Sequence, residues 1–219
     1  MKIAILGTGM VGNALATKLV ELGHSVVMGS RTANSEAGQE WLKSVGGKGS
    51  IGTFADATAF GEIVFDCTNG ANSLAALKQA SAANLGRKIL VQVSNPLDFS
   101  KGMPPSLTVC NTDSLAEQIQ REFPQARVIK ALSTMNCKVM VQPSVVPGDH
   151  SLFLCGNDAA ARKEVAQKFC EWFGWKPSNI LDLGDLTGAR GMEMLLPLWL
   201  RLFGIFGNPV FNLHVVRGS

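Results

Sequence analysis

The sequence predicts an α/β chain: a doubly wound, mostly parallel sheet carrying a small helical appendage at its C-terminus. Three observations lead there. Apolar runs of strand length alternate with helical patterns along most of the chain. The first strand–helix unit encloses glycines at Gly7, Gly9 and Gly12. The final stretch is helical and apolar in pattern and contains no strand.

The elements follow in order. Ile3 to Leu6 is an apolar run suited to a strand buried on both faces. The spacing G-x-G-x-x-G then opens a helix whose apolar stripe is Val11, Ala14, Leu15, Leu19 and Leu22, with Gly23 as its cap. Gly7 permits the tight turn, Gly9 lets the backbone approach a pyrophosphate, and Gly12 lets helix and strand pack closely. The helix N-terminus offers phosphates its unpaired N–H groups and a partial positive charge. Alone, such a motif is weak, because glycine-rich turns are common. Here a strand precedes it, a helix follows, and a second strand over Ser25 to Met28 closes the unit, which is the context of a Rossmann-type dinucleotide site. Gly7, Thr8, Gly9, Met10, Val11 and Gly12 are therefore assigned to the cofactor.

The second strand runs out into "GSRTANSE" with no acid before Glu36. The group that meets the adenosine ribose belongs here, about 20 residues beyond the fingerprint. An acid would accept from the 2′-hydroxyl of NAD and repel a 2′-phosphate. A guanidinium does the reverse, since its planar fork matches phosphate oxygens and keeps its charge. Arg31, with Ser30 and Thr32 as added hydroxyl donors, reads as NADP rather than as a solvated loop.

Beyond this unit the pattern predicts strands at Ser50 to Thr53, Glu62 to Asp66, Lys88 to Val93 and Arg127 to Leu132, then Ser151 to Leu154 and Asn179 to Leu183. Helices are expected over Ala55 to Phe60, Ser73 to Ala83, Ser114 to Phe123 and Ala159 to Phe173. From "GDLTGARGMEMLLPLWLRLFGIFG" onward the chain reads as helical, and about 35 residues is too little for an independent domain. The division expected is a dinucleotide-binding domain over 1–184 and an appendage over 185–219 that packs on the sheet or on a second subunit. In open α/β sheets the ligand lies beyond the carboxyl ends of the strands. Those ends add Thr68 and Asn69 at ribose or phosphate, and Asn95 and Pro96 beside the nicotinamide ribose. Each is also an ordinary turn former or cap, and position at a strand end is what favours a role in binding.

Composition narrows the classes. With 219 residues, 46% hydrophobic and 17% charged, the chain can bury a core. A net charge of +3, with its Lys and Arg scattered, argues against a nucleic-acid partner. The Cys count is 5, with no C-x-x-C, so neither disulfides nor a zinc site are expected and no metal ligands are assigned. The chain enters a strand at once with no signal peptide, and "MLLPLWLRLFGIFG" is too short and interrupted for a membrane span. A cytoplasmic protein is the expectation.

The chemistry is marked by what is missing. Dehydrogenases that act on alcohols need a general acid/base, usually His, Lys, Tyr or a carboxylate. The chain has no Tyr and 3 His, none placed with a carboxylate at a strand end. Lys138 is the nearest amine and reads as solvated. No catalytic residue is assigned. Hydride transfer to a flavin-like ring needs stacking and close approach more than it needs a base, because the cofactors carry the chemistry. Met192, Met194, Leu195, Leu196 and Trp199 are candidates to wall such a slot, with core or dimer packing as the alternative.

These residues resemble a known family. "IAILGTGMVGNALATKLVELGHSVVMGSR", "VIKALSTMN", "LFLCGND" before a helix, and "LDLGDLTGARGMEMLLPLWLRL" resemble the NADPH-dependent coenzyme F420 reductases over nearly the full length. Archaeal members of that family pass hydride between NADP and a deazaflavin. The resemblance implies NADP contacts at Thr8 to Val11, Ser30, Arg31 and Thr68. It also implies a homodimer whose C-terminal helices help build the acceptor site. Ser133, Met135 and Asn136 then become candidates to contact the acceptor. The chain departs from the family where deazaflavin enzymes have a His, here Ser133, and where a Pro follows the Thr matching Thr68, here Asn69-Gly70. Both departures leave NADP binding intact and make a bacterial-type member with another acceptor the expectation. The same lineage includes the reductase domain of membrane metalloreductases, which passes hydride from NADPH to a flavin, so ferric iron is a possible final acceptor.

Other classes remain open at this point. Reductases resembling the 6-phosphogluconate or pyrroline-carboxylate enzymes need a large second helical domain. A non-catalytic protein that senses NADP(H) would use the nucleotide as a switch.

Overall fold

A computed structural model describes residues 1–218. Among the described residues ten strands form: β1 (Lys2–Leu6), β2 (Ser25–Ser30), β3 (Ser50–Thr53), β4 (Ile63–Asp66), β5 (Ile89–Gln92), β6 (Leu97–Asp98), β7 (Ser106–Leu107), β8 (Arg127–Ala131), β9 (Leu152–Gly156) and β10 (Ile180–Asp182). An eight-stranded sheet has the order β10-β9-β8-β5-β4-β1-β2-β3, while β6 and β7 make a separate antiparallel pair. Within the large sheet every pairing is parallel except β8 with β9. The doubly wound, mostly parallel sheet is as expected. Its order reverses between β1 and β4, which opens the crevice where such sheets bind ligands.

β1 shows how the sheet splits the core. Ile3 and Ile5 face one layer with α1 (Met10–Glu21), α2 (Glu36–Ser44) and α8 (Ala159–Phe173). Ala4 and Leu6 face the other with α3 (Phe54–Phe60), α4 (Gly70–Ala80), α5 (Ala82–Leu85) and α6 (Leu115–Glu122). The alternation is the period of a strand, and burial on both faces turns it into a continuous apolar run.

Several elements differ from the pattern reading. The buried stripe of α1 is Gly12, Leu15, Ala16, Leu19 and Val20, while Leu22 is 42% exposed. The helix is thus rotated toward its small residues, because close approach to β1 goes through Gly12. Gly23 (φ +83°) follows the helix in the left-handed region, as a terminating glycine should. α2 was not foreseen; its Trp41 is buried and its indole N–H donates to Thr17 Oγ1 at 3.2 Å. α4 begins earlier than expected because Asn69 caps it, accepting from Ala71 N at 3.0 Å, and it ends where Ser81 turns to φ +75°. The short pieces β6, β7 and α7 (Cys137–Val141) are below the length at which periodicity can be read.

After β10 come α9 (Gly188–Met194) and α10 (Leu196–Phe206), as expected of the helical end. The helix stops at Gly207 (φ +63°), and residues 208–218 carry no further helix. This tail returns to β9 instead: Ser151 N donates to Leu213 O at 2.7 Å, and Asn212 Nδ2 donates to Ser151 O at 2.9 Å. Met192 lies in the core and its sulfur meets Cys155 Sγ at 3.8 Å, so it does not wall a slot. Among the described residues no helix is long and apolar enough to cross a membrane, and no group of His, Cys, Asp and Glu could hold a metal.

Candidate functional site

A cleft of about 510 Å³ opens at the carboxyl ends of β1, β2 and β4. Its floor is the fingerprint. Gly7 stands at φ +112°, and a Cβ there would meet Cys67 O at 2.7 Å. A Cβ on Gly12 would lie 2.1 Å from Gly7 O, so only hydrogen lets α1 start this close to the turn. A Cβ on Gly9 would meet nothing within 4 Å, leaving an open approach to the backbone. Gly9 caps α1 with no side-chain hydrogen bond, and the first turn holds no acid, so its N–H groups and dipole face the cleft uncompensated. Thr8 lines the cleft, while Met10 and Val11 follow in the first turn, Met10 being exposed.

Arg31 lines the same cleft, together with Phe54. Ser30 Oγ donates to Thr32 O at 2.5 Å, which bends the loop and commits the Ser30 proton. Selection by a phosphate therefore falls mainly on the guanidinium. The far wall was missed by sequence reasoning: Asn72, Ala75, Ala76 and Gln79, all from α4. Their spacing is one helical stripe, and a reading that placed α4 at the crevice could have found it. Cys67 also lines the cleft; burial, helped by the Asp66 charge, pushes its thiol well above the ordinary range and keeps it neutral.

The remaining candidates sit in a polar junction where the chains leaving β4, β5 and β8 meet. Asp66 is buried and accepts from Thr68 Oγ1 (2.6 Å), from Ser94 Oγ (3.0 Å) and from Ser73 Oγ. Thr68 lines the cleft with its hydroxyl proton committed to Asp66. Asn95 Nδ2 donates to Ser133 O at 2.8 Å, and Pro96 is buried behind it. The loop presses against α4 so closely that a Cβ on Gly70 would lie 1.8 Å from Asn95 O. Asn136 caps α7, accepting from Lys138 N at 2.9 Å, and Met135 is buried in the core. Lys138 is exposed.

Two features here point to a ligand. Leu132 holds φ +62°, a conformation that costs a branched residue energy and collects at functional sites. Next to it, Ser133 is 3% exposed and its hydroxyl has no partner. A buried hydroxyl without a partner costs free energy, so an incoming polar group would be met favourably. Together the open glycine turn, the helix start without a side-chain cap and the guanidinium of Arg31 fit a dinucleotide lying in the cleft.

Beneath the junction lies an ion pair that the sequence reading did not anticipate. Lys130 Nζ is 3.1 Å from Glu193 Oε1, with side chains 0% and 1% exposed. Burial lowers the lysine's pKa, and the charge of Glu193 works against that shift. The three histidines lie elsewhere: His150 is held by Pro143 O at 3.0 Å and by Asn212, His24 stands beside the N-terminus, and His214 is exposed in the tail beside β9.

Residues 2–96 match a family described as NADP oxidoreductase, coenzyme F420-dependent. A crystal structure of an Arthrobacter sp. FB24 protein, proposed to be an F420-dependent NADP-reductase, is 49% identical over 99% of this chain and 100% of that one, with a TM-score of 0.93. Metalloreductase STEAP3 of Rattus norvegicus is 32% identical over 90% of this chain, and metalloreductase STEAP2 of Homo sapiens is 26% identical over 95%. The chain spans 38% of the length of each of these curated relatives. A reductive aminase of Aspergillus terreus, solved with NADPH4, cyclohexanone and allyl amine, shares the fold at TM-score 0.63 and 20% identity, over 94% of this chain and 62% of that one.

Proposed function

The chain belongs to the family of coenzyme F420-dependent NADP oxidoreductases, and from that premise we propose that it passes hydride between NADPH and a flat flavin-like or deazaflavin ring beside the ends of β5 and β8. It is an NADP-dependent oxidoreductase, and its cofactor is NADP(H).

One observation supports the ring acceptor above all. Where the chains leave β4, β5 and β8, beside the proposed nicotinamide end, the buried titratable groups are Asp66, Lys130 and Glu193, while His24 and His150 are bonded elsewhere. Reduction of a carbonyl or an imine calls on a positioned proton donor, and the buried ions nearby are already engaged with one another. Asp66 is saturated by hydroxyl donors, and Lys130 by Glu193, Gln92 and Ser94. A flavin-like ring needs alignment instead.

NADPH, when bound, supplies the hydride. The N–H groups of Gly9 to Gly12 would hold its pyrophosphate and Arg31 its 2′-phosphate. Phe54, Asn72, Ala76 and Gln79 would flank the adenosine end. Asn95 and Pro96 would border the nicotinamide ribose, and the acceptor ring would lie beside the segment Ser133 to Asn136. Ser133 and Asn69-Gly70, standing where deazaflavin enzymes carry His and Pro, favour a flavin over coenzyme F420. The likeness to the metalloreductases favours it too, with ferric iron downstream.

The test is NADPH oxidation with FMN, FAD, riboflavin, coenzyme F420 and simple quinones side by side. A flavin is expected to turn over faster than coenzyme F420 by about tenfold, or roughly 1.4 kcal/mol of barrier. Coenzyme F420 well ahead of every flavin would remove the significance given to Ser133. NADPH binding with no reduction of any acceptor would favour an NADP(H)-sensing protein.

The same reading includes a homodimer built on the appendage at 185–219. α10 leaves Leu198, Phe203, Ile205 and Phe206 exposed, Ile205 at 75% and Phe206 at 56%. A helix this apolar toward solvent is an association surface. Sedimentation equilibrium at micromolar protein should give twice the chain mass of 23.3 kDa; a mass of one chain would mean that α10 stays open.

A further inference from the structure

Lys130 stands in β8 among the apolar residues of "VIKAL", and both it and Glu193 of α9 are shut off from water. Taking two charges out of water costs several kcal/mol per ion, and an apolar pair of the same volume is often as stable. What the pair offers in return is direction. Glu193 Oε2 accepts from Leu115 N at 2.9 Å and Oε1 from Ala116 N at 3.3 Å, so the carboxylate is anchored on the first turn of α6. The ammonium it holds donates to Gln92 Oε1 at 2.7 Å and to Ser94 O at 2.6 Å, and lies 3.3 Å from Asn95 Oδ1.

Asn95 carries this order to the site. With its oxygen facing the ammonium, its amide can only present Nδ2 to Ser133 O, which it meets at 2.8 Å. Its own carbonyl packs on Gly70 at a distance that no Cβ would allow. The chains after β4, β5 and β8 are thus locked together at one asparagine, and the lock is keyed from below by Lys130.

We propose that Lys130, held by Glu193, is a positioning residue for hydride transfer: it fixes the amide of Asn95 and through it the spacing of the loops that border the reacting end of the site. The proposal rests on reading those loops as the nicotinamide end. It makes the C-terminal segment part of the redox machinery, because α9 supplies the carboxylate that holds the ammonium in place.

The experiment uses the full chain with Lys130→Met, Glu193→Gln and the doubly neutral K130M/E193Q. The amide introduced by Glu193→Gln keeps one oxygen for the α6 N–H groups, and removal of both charges leaves no buried ion unpaired. Four quantities are measured: the NADPH Kd, the fluorescence anisotropy of the bound nicotinamide, kcat with whichever acceptor the wild type reduces, and the urea midpoint. The single variants should lower the urea midpoint, and the double variant should recover most of that loss. NADPH Kd should stay within about threefold throughout, since Arg31 and the glycine turn are untouched. Nicotinamide anisotropy should fall, and kcat should drop about tenfold to a hundredfold in all three, because small displacements at the reacting end cost that much. If the double variant regains kcat and anisotropy together with stability, the pair is structural and the proposal falls. Wild-type kcat and anisotropy in Lys130→Met would also overturn it. A wild type that binds NADPH yet reduces nothing would defeat the acceptor reading alone, and the anisotropy of the variants would still decide this one.

Discussion

Replacing Gly12 by alanine should cost the fold a few kcal/mol and remove most of the NADPH affinity. The added Cβ would lie 2.1 Å from Gly7 O, 3.0 Å from Gly7 C and 3.4 Å from Ile5 Cγ2. Two of those atoms are backbone, so no side chain can turn aside to relieve the clash. α1 must lift from β1, and overpacking of this kind typically costs about 1–3 kcal/mol and occasionally more. The turn that moves is the one whose N–H groups face the cleft. Gly9→Ala is the matched control: nothing lies within 4 Å of its added Cβ, and φ −77° suits alanine. Its stability should hold, while NADPH affinity falls because the methyl group projects into the approach. Urea denaturation read beside an NADPH titration separates the two effects. A Gly12→Ala protein with the wild-type midpoint and Kd would show that the turn adapts, contrary to the packing argument.

Arg31→Ala should abolish the preference for NADPH over NADH without harming the fold. Arg31 is exposed, and it is the lone charge among the described residues lining the cleft. Ser30 spends its hydroxyl proton on Thr32 O and has little to offer a phosphate. Loss of a charge-assisted phosphate contact should therefore cost roughly 1.5–3 kcal/mol, or on the order of tenfold to a hundredfold in NADPH affinity. NADH has no 2′-phosphate, so its affinity should barely change. The two titrations at fixed ionic strength give the ratio directly. An unchanged ratio would assign the selectivity to other groups.

Residue by residue, the candidate site was legible to different depths. Gly7, Gly9, Gly12 and Arg31 could be read because a strand, a tight turn, a helix and the next strand follow one another without interruption. Asn69 is a candidate contact by its place at a strand end and Asn136 by the family resemblance, and their side chains cap α4 and α7. An asparagine at a strand end suits both uses, and only the hydrogen-bond partner tells them apart. The wall of α4 went unread because the expected helix began at Ser73 and the crevice side of its surface was not identified. The apolar appendage was recognised as helical, yet Met192 went to the core and the tail beyond Gly207 returned to β9. Hydrophobic pattern says that a face will be buried, not against what.

By itself the sequence determined the alternation of strand and helix, the dinucleotide turn and the cationic end of the second strand. In each case the decisive contacts lie within one strand–helix–strand unit, so spacing along the chain carries the geometry. The tertiary structure alone decided that Lys130 and Glu193 would be partners, that Asn95 would bridge to Ser133, and that the Ser133 hydroxyl would be left without one. Each of those pairings joins elements brought together by sheet order, and no local pattern announces which distant residue will arrive. A lysine among apolar residues shows only that a counter-charge must come from somewhere; the packing of α9 against β9 and α6 supplies it.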